Sequence, residues 1–347
     1  GRYKAPSVKR VRIPKADSAG ETRPIGIPTT EDKVLQKAVK MILEPLYEPL
    51  FKECSYGFRP NRSAHMALES LWQGIMSMGG GWVLDIDIRQ FFDTLDHKYL
   101  QELLKQRVSD GVICRLVGKW LNAGIMEKQQ LSYPERGTPQ GGIISPLLSN
   151  VYLHHVLDEW FENIVKPRLH DKGLLIRYAD DFVMVFKSKA DAERVYEVLP
   201  KRFRKFGLEI HEGKSKLVDF RSPEKDGKSG SFEFLGFTHY WKKARSGKYA
   251  VSRKTSGKKL NRALKTIHLW CCNNRFRRIR EQHQLLVWKV RGHYSYFGIT
   301  GNQRALKQYI EQVERKWHYW LNRRNRHRSM NWERFKTGVL YHYPLPS

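Results

Sequence analysis

Acidic side chains stand in this sequence at positions that suit metal chemistry. In Leu174–Phe186 (LLIRYADDFVMVF), two apolar runs flank the adjacent carboxylates of Asp180 and Asp181. Strand-forming residues on both sides of a short polar centre predict a tight β-hairpin with an acidic tip. Aspartate is also a common turn residue, so the hairpin by itself leaves a purely structural role open.

A second acidic stretch favours chemistry over structure. Trp82–Asp87 (WVLDID) has the pattern of a strand and is followed by the aromatic pair Phe91 and Phe92. A hairpin tip beside such a strand can bring three carboxylates together, and these repel one another unless a cation joins them. Mg²⁺ prefers a few carboxylates together with substrate phosphates. Two such ions, about 4 Å apart, activate a hydroxyl and stabilise the leaving oxygen of an in-line phosphoryl displacement. The two stretches therefore predict the chemistry of a polymerase.

The charge of the chain indicates a polyanionic partner. The 347 residues carry a net charge of +28, which suits nucleic acid or an anionic membrane surface. From residue 242 to the end there are 26 lysines and arginines but only four glutamates, a charge of +22 that leaves +6 for residues 1–241. Aromatic residues mixed with Lys and Arg favour nucleic acid, because bases stack on rings. We expect a catalytic body followed by an electrostatic binding element.

Hydrophobic runs and cysteine spacing bear on the location of the protein and on its possible zinc or disulfide sites. No run of about 18 apolar residues and no signal-peptide pattern occurs, so we expect a cytoplasmic protein without a spanning segment. The cysteines, at 54, 114, 271 and 272, form no C-x-x-C pair, and the sequence gives neither a cysteine zinc motif nor a disulfide framework.

Further elements are predicted around these stretches. Val8–Pro14 and Arg23–Pro28 read as strands of one hairpin that carries Lys9, Lys15 and Arg23. The glycine-rich run Arg136–Asn150 leaves backbone amides free at a helix start, which is a weak signal for phosphate or sugar binding. Strands are also predicted at Leu208–Ile210 and Phe232–Phe237.

The C-terminal third is predicted to be helical. Helices are expected near residues 260–273, 278–297 and 303–325. The tryptophans at helical spacing are expected to be core residues more often than base-stacking platforms. The run 323–328 (RRNRHR) suits an RNA-contacting or solvated stripe, and its candidate RNA-binding residues are Arg323, Arg324, Arg326 and Arg328.

Seven motifs then appear in a characteristic order between residues 8 and 237: RPIGIP, SYGFRPNRSAH, DIRQFFDTLDH, GTPQGGIISPLLSN, RYADDF, EGKSK and FLGF. This order resembles the reverse transcriptases encoded by group II introns. The helices after residue 255, with KVRGHYSYFGI and MNWERF, resemble more weakly the thumb or maturase domain of that family. The resemblance implies an α+β right-hand polymerase: fingers at about 1–80, a palm with an antiparallel sheet at about 81–241, and a basic helical thumb at 255–347.

The resemblance also assigns roles to residues. Asp87, Asp180 and Asp181 would be catalytic and would bind two Mg²⁺ ions, for which Mn²⁺ can substitute, with Ile88 included at the metal site. Asp85 is the alternative ligand. Asp87 is preferred because the bulky residue expected under the incoming sugar, five residues on, is then Phe92, whose ring would clash with a 2′-hydroxyl. The remaining assignments are nucleotide binding by Lys15, Arg23, Phe92, Gln140, Gly141 and Lys214, and primer or template contacts by Arg59, Phe234, Leu235 and Gly236.

These assignments predict an RNA-directed DNA polymerase of a group II intron, acting on an RNA template, a DNA primer and dNTPs, and binding intron RNA. Two alternatives stay open: a splicing maturase with secondary polymerase activity, and the same polymerase recruited to CRISPR spacer acquisition or phage defence. The family usually has residues before the first finger strand that help to hold template. No Cys/His cluster resembles the DNA endonuclease of some relatives, so we do not expect this chain to cut the second strand.

Overall fold

The computed structural model describes residues 3–14, 22–127, 130–132, 137, 141–223, 229–324 and 329–346. It divides into two compact units. The first unit comprises residues 1–235 and 243–251, and the second unit comprises residues 236–242 and 252–347. The boundaries of fingers, palm and thumb given above stay predictions.

The first unit mixes helices and strands. In chain order its described elements are β1 (Val8–Pro14), β2 (Thr22–Ile27), α1 (Thr30–Tyr47), α2 (Ala64–Met78), β3 (Gly80–Ile86), α3 (Phe91–Thr94), α4 (His97–Lys105), α5 (Gly111–Leu121), β4 (Ile125–Glu127), β5 (Gln130–Ser132), α6 (Ser145–Leu153), β6 (Gly173–Tyr178), β7 (Asp181–Phe186), α7 (Lys189–Lys205), β8 (Lys216–Arg221) and β9 (Phe232–Phe234). After α6 the chain continues through π-helical turns at His154–Asp158 and Phe161–Val165 and a 3-10 turn at Lys166–Arg168.

The N-terminal hairpin predicted from the sequence is confirmed. β1 and β2 pair antiparallel from Lys9 opposite Ile27 to Pro14 opposite Thr22. β1 also pairs in parallel with β4, so the sheet has the order β2-β1-β4-β5. The next helix begins with a side-chain cap, because the Thr29 side chain accepts a hydrogen bond from the backbone N–H of Asp32.

A second, antiparallel sheet with the order β6-β7-β3-β8 carries both acidic stretches. The predicted acidic hairpin is confirmed, since β6 and β7 pair up to Tyr178 opposite Asp181. The acidic strand β3 lies between β7 and β8. Side chains on both faces of β7 are fully buried from Phe182 to Phe186, and Leu84 of β3 lies in the same core. The sheet is therefore covered on both faces behind its acidic end.

Two strand predictions are wrong. Leu208–Ile210 is not a strand, and Ile210 forms only an isolated bridge with Ile88. Phe232–Phe237 is not one strand, because β9 ends at Phe234 and the next two residues take positive φ angles, 49° at Leu235 and 80° at Gly236. β10 (Phe237–Lys243) and β11 (Tyr249–Thr255) follow. The run of apolar residues favours a strand, and Gly236 is the only residue in it that indicates a turn.

The second unit is built from basic helices near the predicted positions. They are α8 (Gly257–Asn274), α9 (Ile279–Phe297), α10 (Gln303–Leu321) and α11 (Trp332–Arg334), which continues as a π-helical turn over Phe335–Leu340. Trp317 is fully buried in their shared core, as expected for a tryptophan at helical spacing, whereas Trp288 is 60% exposed. The unit contains 23 lysines and arginines and four glutamates.

Two further observations bear on the setting of the protein. Within the described ranges, no helix combines the length and the apolarity that a bilayer crossing requires. Cys54, Cys114, Cys271 and Cys272 are all free thiols.

Candidate active site

The second sheet brings the three predicted catalytic aspartates to one end. In β3 and β7 the last antiparallel pair is Ile86 opposite Phe182. Continuing this register by one residue sets Asp87 level with Asp181. Asp180 lies in the turn between β6 and β7, next to Asp181 in the chain. Strand pairing, rather than proximity in sequence, therefore joins Asp87 to the hairpin.

The pKa of Asp181 reflects desolvation and the negative charges of the neighbouring carboxylates. Its pKa is raised to about 7, first by desolvation from the surrounding protein atoms and then by the negative charges of Asp180, Asp85 and Asp87. The side chain itself remains open to solvent. A hydrogen bond from the backbone N–H of Leu235 acts in the opposite direction and favours the carboxylate. The site thus holds like charges that a cation would relieve.

Two lysines already face this acidic end. Lys214 Nζ lies 3.1 Å from Asp87 Oδ2, and Lys216 Nζ lies 3.7 Å from Asp85 Oδ2. The Asp87 side chain is 45% exposed, against 20% for Asp85. Burial raises the pKa of Asp85 to about 6, and the charge of Lys216 only partly offsets this. Asp87 is therefore the more open of the two carboxylates, and the choice between them as a metal ligand stays a prediction.

The donor set suits hard divalent cations, because it consists of carboxylate oxygens. Among the described residues, however, the three aspartates do not form a group whose ligand atoms all lie within 4.8 Å of one another. They would have to draw closer around an ion. Ile88 has a buried apolar side chain, so only its carbonyl oxygen could contribute to a metal site.

A buried arginine, which the sequence interpretation missed, holds the acidic turn. Arg177 is fully buried, and its Nε and Nη2 donate to the Asp158 carboxylate at 2.8 and 2.6 Å. Nη1 donates to Asn150 Oδ1 at 3.0 Å and to the carbonyl of Ala179 at 2.9 Å. Nη2 also donates to Ser55 Oγ at 2.8 Å. The signal was present in the sequence, since a charged residue inside an apolar strand must find partners.

The same turn is strained and backed by a glycine. Ala179 has a φ of 58°, a left-handed conformation that costs a non-glycine residue about 1 kcal/mol or more. Behind it, a Cβ on Gly57 would overlap the backbone nitrogen of Ala179 and come within 2.9 Å of the Tyr178 carbonyl carbon. Asn150 Nδ2 donates to the Gly57 carbonyl at 2.7 Å. The SYGF loop therefore packs its backbone directly against the acidic turn.

The predicted nucleotide-binding residues are described only in part. Lys15, Gln140 and the side chain of Arg23 lie outside what the structure describes. Gly141 has a φ of 119°, and a Cβ there would lie 2.5 Å from the carbonyl oxygen of Gly26 in β2. The glycine-rich loop thus packs closely on that strand, which requires glycine. Phe92 is half-buried, with its ring 5.3 Å from the ring of Phe91.

The predicted primer and template residues differ in their burial and in their contacts. Arg59 is only 8% exposed: it is ion-paired with Glu48 at 2.7 Å, and its Nη1 donates to the carbonyls of Lys52 and Ser55. Its guanidinium therefore braces the SYGF loop. In the FLG turn, Phe234 is buried, Leu235 offers its N–H to Asp181, and Gly236 supplies a second positive φ.

The arginine run of the second unit is not uniformly open. Arg323 is exposed and its guanidinium lies 3.5 Å from the centre of the Tyr319 ring. Arg324 is half-buried, donates to the carbonyls of Arg275 and Arg277, and has its pKa lowered by burial. Arg326 and Arg328 lie outside the described residues. Of the described pair, Arg323 is thus the more exposed to solvent.

An antiparallel sheet with carboxylates at the end of its central strand and in the adjoining hairpin is the arrangement of a polymerase palm. Residues 13–239 match the family described as reverse transcriptase (RNA-dependent DNA polymerase). The chain belongs to this family, and the resemblance found in its motifs is confirmed.

Individual relatives agree with this assignment. The chain is 37% identical over 226 residues to the group II intron-encoded protein LtrA of Lactococcus lactis subsp. cremoris, a match over 65% of this chain and 33% of LtrA. It is 35% identical over 226 residues to protein YkfC of Escherichia coli (strain K12), a match over 57% of this chain and 59% of YkfC. The chain therefore spans about a third of the length of the first relative and less than two thirds of the second.

A solved structure supports the fold. Telomerase from Candida albicans, in complex with a TWJ fragment of telomeric RNA, superposes with a TM-score of 0.55 at 13% identity, over 98% of this chain and 61% of that chain. The predicted right-hand polymerase fold is confirmed.

Proposed function

We propose that this chain is an RNA-directed DNA polymerase that extends a DNA primer on an RNA template by nucleotidyl transfer. The observation that carries the proposal is the strand register that sets Asp87 level with Asp181, next to Asp180, at the end of the second sheet. Membership of the reverse transcriptase family supports the reaction class. The substrates are then dNTPs and the 3′-hydroxyl of a primer.

Asp87, Asp180 and Asp181 would hold two Mg²⁺ ions, with Mn²⁺ as a substitute and the Ile88 carbonyl near them. When bound, such ions activate the attacking hydroxyl and stabilise the leaving oxygen. The chain contributes the negative charge that recruits them. Lys214, 3.1 Å from Asp87, would exchange this partner for a phosphate when a nucleotide and metal enter.

The remaining predicted residues would select and orient the nucleotide. Phe92 would exclude a 2′-hydroxyl by steric contact, so that deoxynucleotides are preferred. Gln140 and the backbone of Gly141 would line the pocket. Lys15 and Arg23 would grip the triphosphate and offset the charge that develops in the transition state.

We also propose that the second unit binds RNA, including the RNA of a group II intron. Its 23 lysines and arginines against four glutamates support contacts with phosphates. Two relatives carry matching names, the group II intron-encoded protein LtrA and nuclear intron maturase 4 of Arabidopsis thaliana. RNA recognition would depend mostly on shape and 2′-hydroxyls. A cytoplasmic location remains part of this proposal.

Primer extension on an RNA template with Mg²⁺ and dNTPs tests the polymerase. The wild type should extend the primer, and the Asp180→Ala, Asp181→Ala double variant should not, although its salt-sensitive RNA binding stays near wild type. RNA binding without extension by the wild type would instead favour the maturase alternative. Loss of RNA binding in the double variant would mean that the substitutions had damaged the fold.

A further inference from the structure

Two histidines and a glutamate meet in the π-helical turn that follows α6, outside the aspartate site. His154 Nε2 lies 3.5 Å from Glu159 Oε1, and His155 Nδ1 lies 2.8 Å from Glu159 Oε2. One ligand atom from each residue falls within 4.8 Å of the other two. Within the described residues this is the one group of three or more His, Cys, Asp or Glu side chains that is so compact.

The local backbone explains why neighbouring histidines converge on one carboxylate. In a regular α-helix, side chains four apart share a face, but side chains five apart diverge. The turn at His154–Asp158 is π-helical, with hydrogen bonds that reach five residues on, and Glu159 N–H donates to the His154 carbonyl. This wider turn aligns His154 with Glu159 while His155 keeps its normal four-residue spacing. Such π-turns occur often at functional sites.

Neither imidazole is committed elsewhere. Among the described atoms, His154 Nδ1 and His155 Nε2 are buried and have no hydrogen-bond partner. The His154 side chain is 2% exposed and packs edge-on against Phe51, with ring centres 5.5 Å apart. Among the described residues, the two nitrogens that face the Glu159 carboxylate, His154 Nε2 and His155 Nδ1, meet no other polar group.

We propose that His154, His155 and Glu159 bind a Zn²⁺ ion, with a fourth position open to water. Two imidazoles and a carboxylate are a common three-residue donor set for zinc. Ligands in a tetrahedron with bonds of about 2.1 Å are roughly 3.4 Å apart, close to the 3.5 Å between His154 Nε2 and Glu159 Oε1. The His155 contact would lengthen slightly. Glu159 is 38% exposed, so an ion can reach the site.

The donor set, rather than the surrounding charge, favours zinc over magnesium. Lys52 and Arg177 both bear on His154, but Arg177 is paired with Asp158. Arg202 donates to the carbonyls of His155 and Val156 and interacts with Glu159. In a positive environment with one carboxylate, a hard ion has little to attract it. Imidazole ligands instead favour late first-row divalent ions.

An ion here would act on structure, not on nucleotidyl transfer. Asp158, the anchor of Arg177, lies in the chain between the proposed ligands. Zinc would therefore fix the turn that positions Asp158 and, through Arg177, the acidic hairpin. The inference is independent of the proposed polymerase activity, because zinc binding can be measured without any reaction.

Untagged, chelator-treated protein titrated with Zn²⁺, and with Co²⁺ as a spectroscopic probe, tests the proposal. We expect one tight equivalent per chain, visible d–d absorption in the Co²⁺ form, and a higher unfolding temperature with Zn²⁺. His155→Asn and Glu159→Gln should each weaken binding by at least about tenfold. His170→Asn is the matched control, since His170 is an exposed histidine paired with Asp191, and should bind as wild type does.

Equal zinc affinity in the wild type and both cluster variants, or no stoichiometric binding by folded wild type, would overturn the site. Circular dichroism establishes that each variant is folded. His154→Asn is avoided as the primary test, because His154 is buried in the core and its replacement could unfold the turn by itself.

Discussion

The backbone N–H of Leu235, at the end of β9, donates a hydrogen bond to the carboxylate of Asp181. Leu235 adopts a left-handed φ of 49° at that point. The FLG turn thus reaches the acidic hairpin through its main chain, and the Leu235 side chain is not the group that makes the contact. The bond favours the ionised form of Asp181 against three neighbouring carboxylates.

The stability of the metal-free protein should depend on pH through Asp181. Its folded pKa, about 7, exceeds the ordinary value of 3.8, so the folded state holds the proton more tightly than the unfolded chain. Stability from this group is complete below about pH 4 and is lost as the pH rises through about 7. Asp181→Asn should therefore stabilise the protein at about pH 8, by about 1 kcal/mol after allowance for solvent screening.

Thermal unfolding in EDTA between about pH 5 and about pH 8 measures this effect. The gain of Asp181→Asn over wild type should grow across the range. Asp171→Asn, a change of the same kind in an exposed loop, should show no such trend. A constant difference between Asp181→Asn and wild type would contradict the raised pKa.

Lys214 and Lys216 offer a way to distinguish Asp87 from Asp85 as the metal ligand. Lys214→Gln removes the ammonium 3.1 Å from Asp87, and Lys216→Gln removes the one 3.7 Å from Asp85. If Asp87 binds the ion, Lys214→Gln should tighten Mn²⁺ binding several-fold, because a competing cation is lost. Lys216→Gln should change it less. Electron paramagnetic resonance of free Mn²⁺ gives both affinities, and the reverse order would assign the role to Asp85.

The buried pair of Arg177 and Asp158 should be needed for both stability and turnover. Asp158→Asn leaves the Arg177 charge buried without its counterion, so we expect a loss of about 3 kcal/mol in the free energy of unfolding. Because Arg177 also bonds the Ala179 carbonyl, kcat for primer extension should fall and the Mg²⁺ requirement should rise, with RNA affinity little changed.

Asp219→Asn is the control for that pair, since it breaks a surface ion pair with Arg221 and should cost less than about 1 kcal/mol. Denaturant unfolding and steady-state extension over a Mg²⁺ series provide the readouts. An Asp158→Asn variant that is destabilised but keeps wild-type kcat and Mg²⁺ dependence would show that the pair supports the fold without positioning the turn.

Gly57 should tolerate no side chain. Its Cβ would meet the backbone of Ala179 and Tyr178, which cannot rotate away, so Gly57→Ala should cost about 1–3 kcal/mol and displace the acidic turn. Primer extension should drop sharply. Gly292→Ala is the control: a Cβ there meets nothing within 4 Å in α9, and helix propensity predicts a small gain in stability. Full activity of Gly57→Ala would show that the turn can shift without loss.

The wrong strand prediction and the missed role of Arg177 have the same cause: both depend on contacts between residues that are distant in the sequence. The strand prediction over Phe232–Phe237 followed the apolar pattern. In the structure, the hydrogen bond from Leu235 N–H to Asp181 stabilises a turn at Leu235 instead. The primer or template role of Arg59 stays a prediction, and in the structure its guanidinium binds Glu48 and two backbone carbonyls. Arg177 lies in the RYADDF motif, and apart from the nearby Ala179 carbonyl its partners are 19 to 122 residues away in the sequence. Charge alone does not tell whether an arginine faces solvent or a buried partner.

The sequence by itself determined the elements with a local cause: the acidic hairpin from its apolar flanks, the basic helices, and the family from seven ordered motifs. Only the tertiary structure decided which charges meet. Strand pairing brings Asp87 beside Asp181, and burial selects the partners of Arg177. A π-helical turn brings His154 and His155 to Glu159. The first two relations depend on distance and desolvation between residues that are remote in sequence, and the third depends on a departure from regular helix geometry. A local sequence pattern predicts none of these.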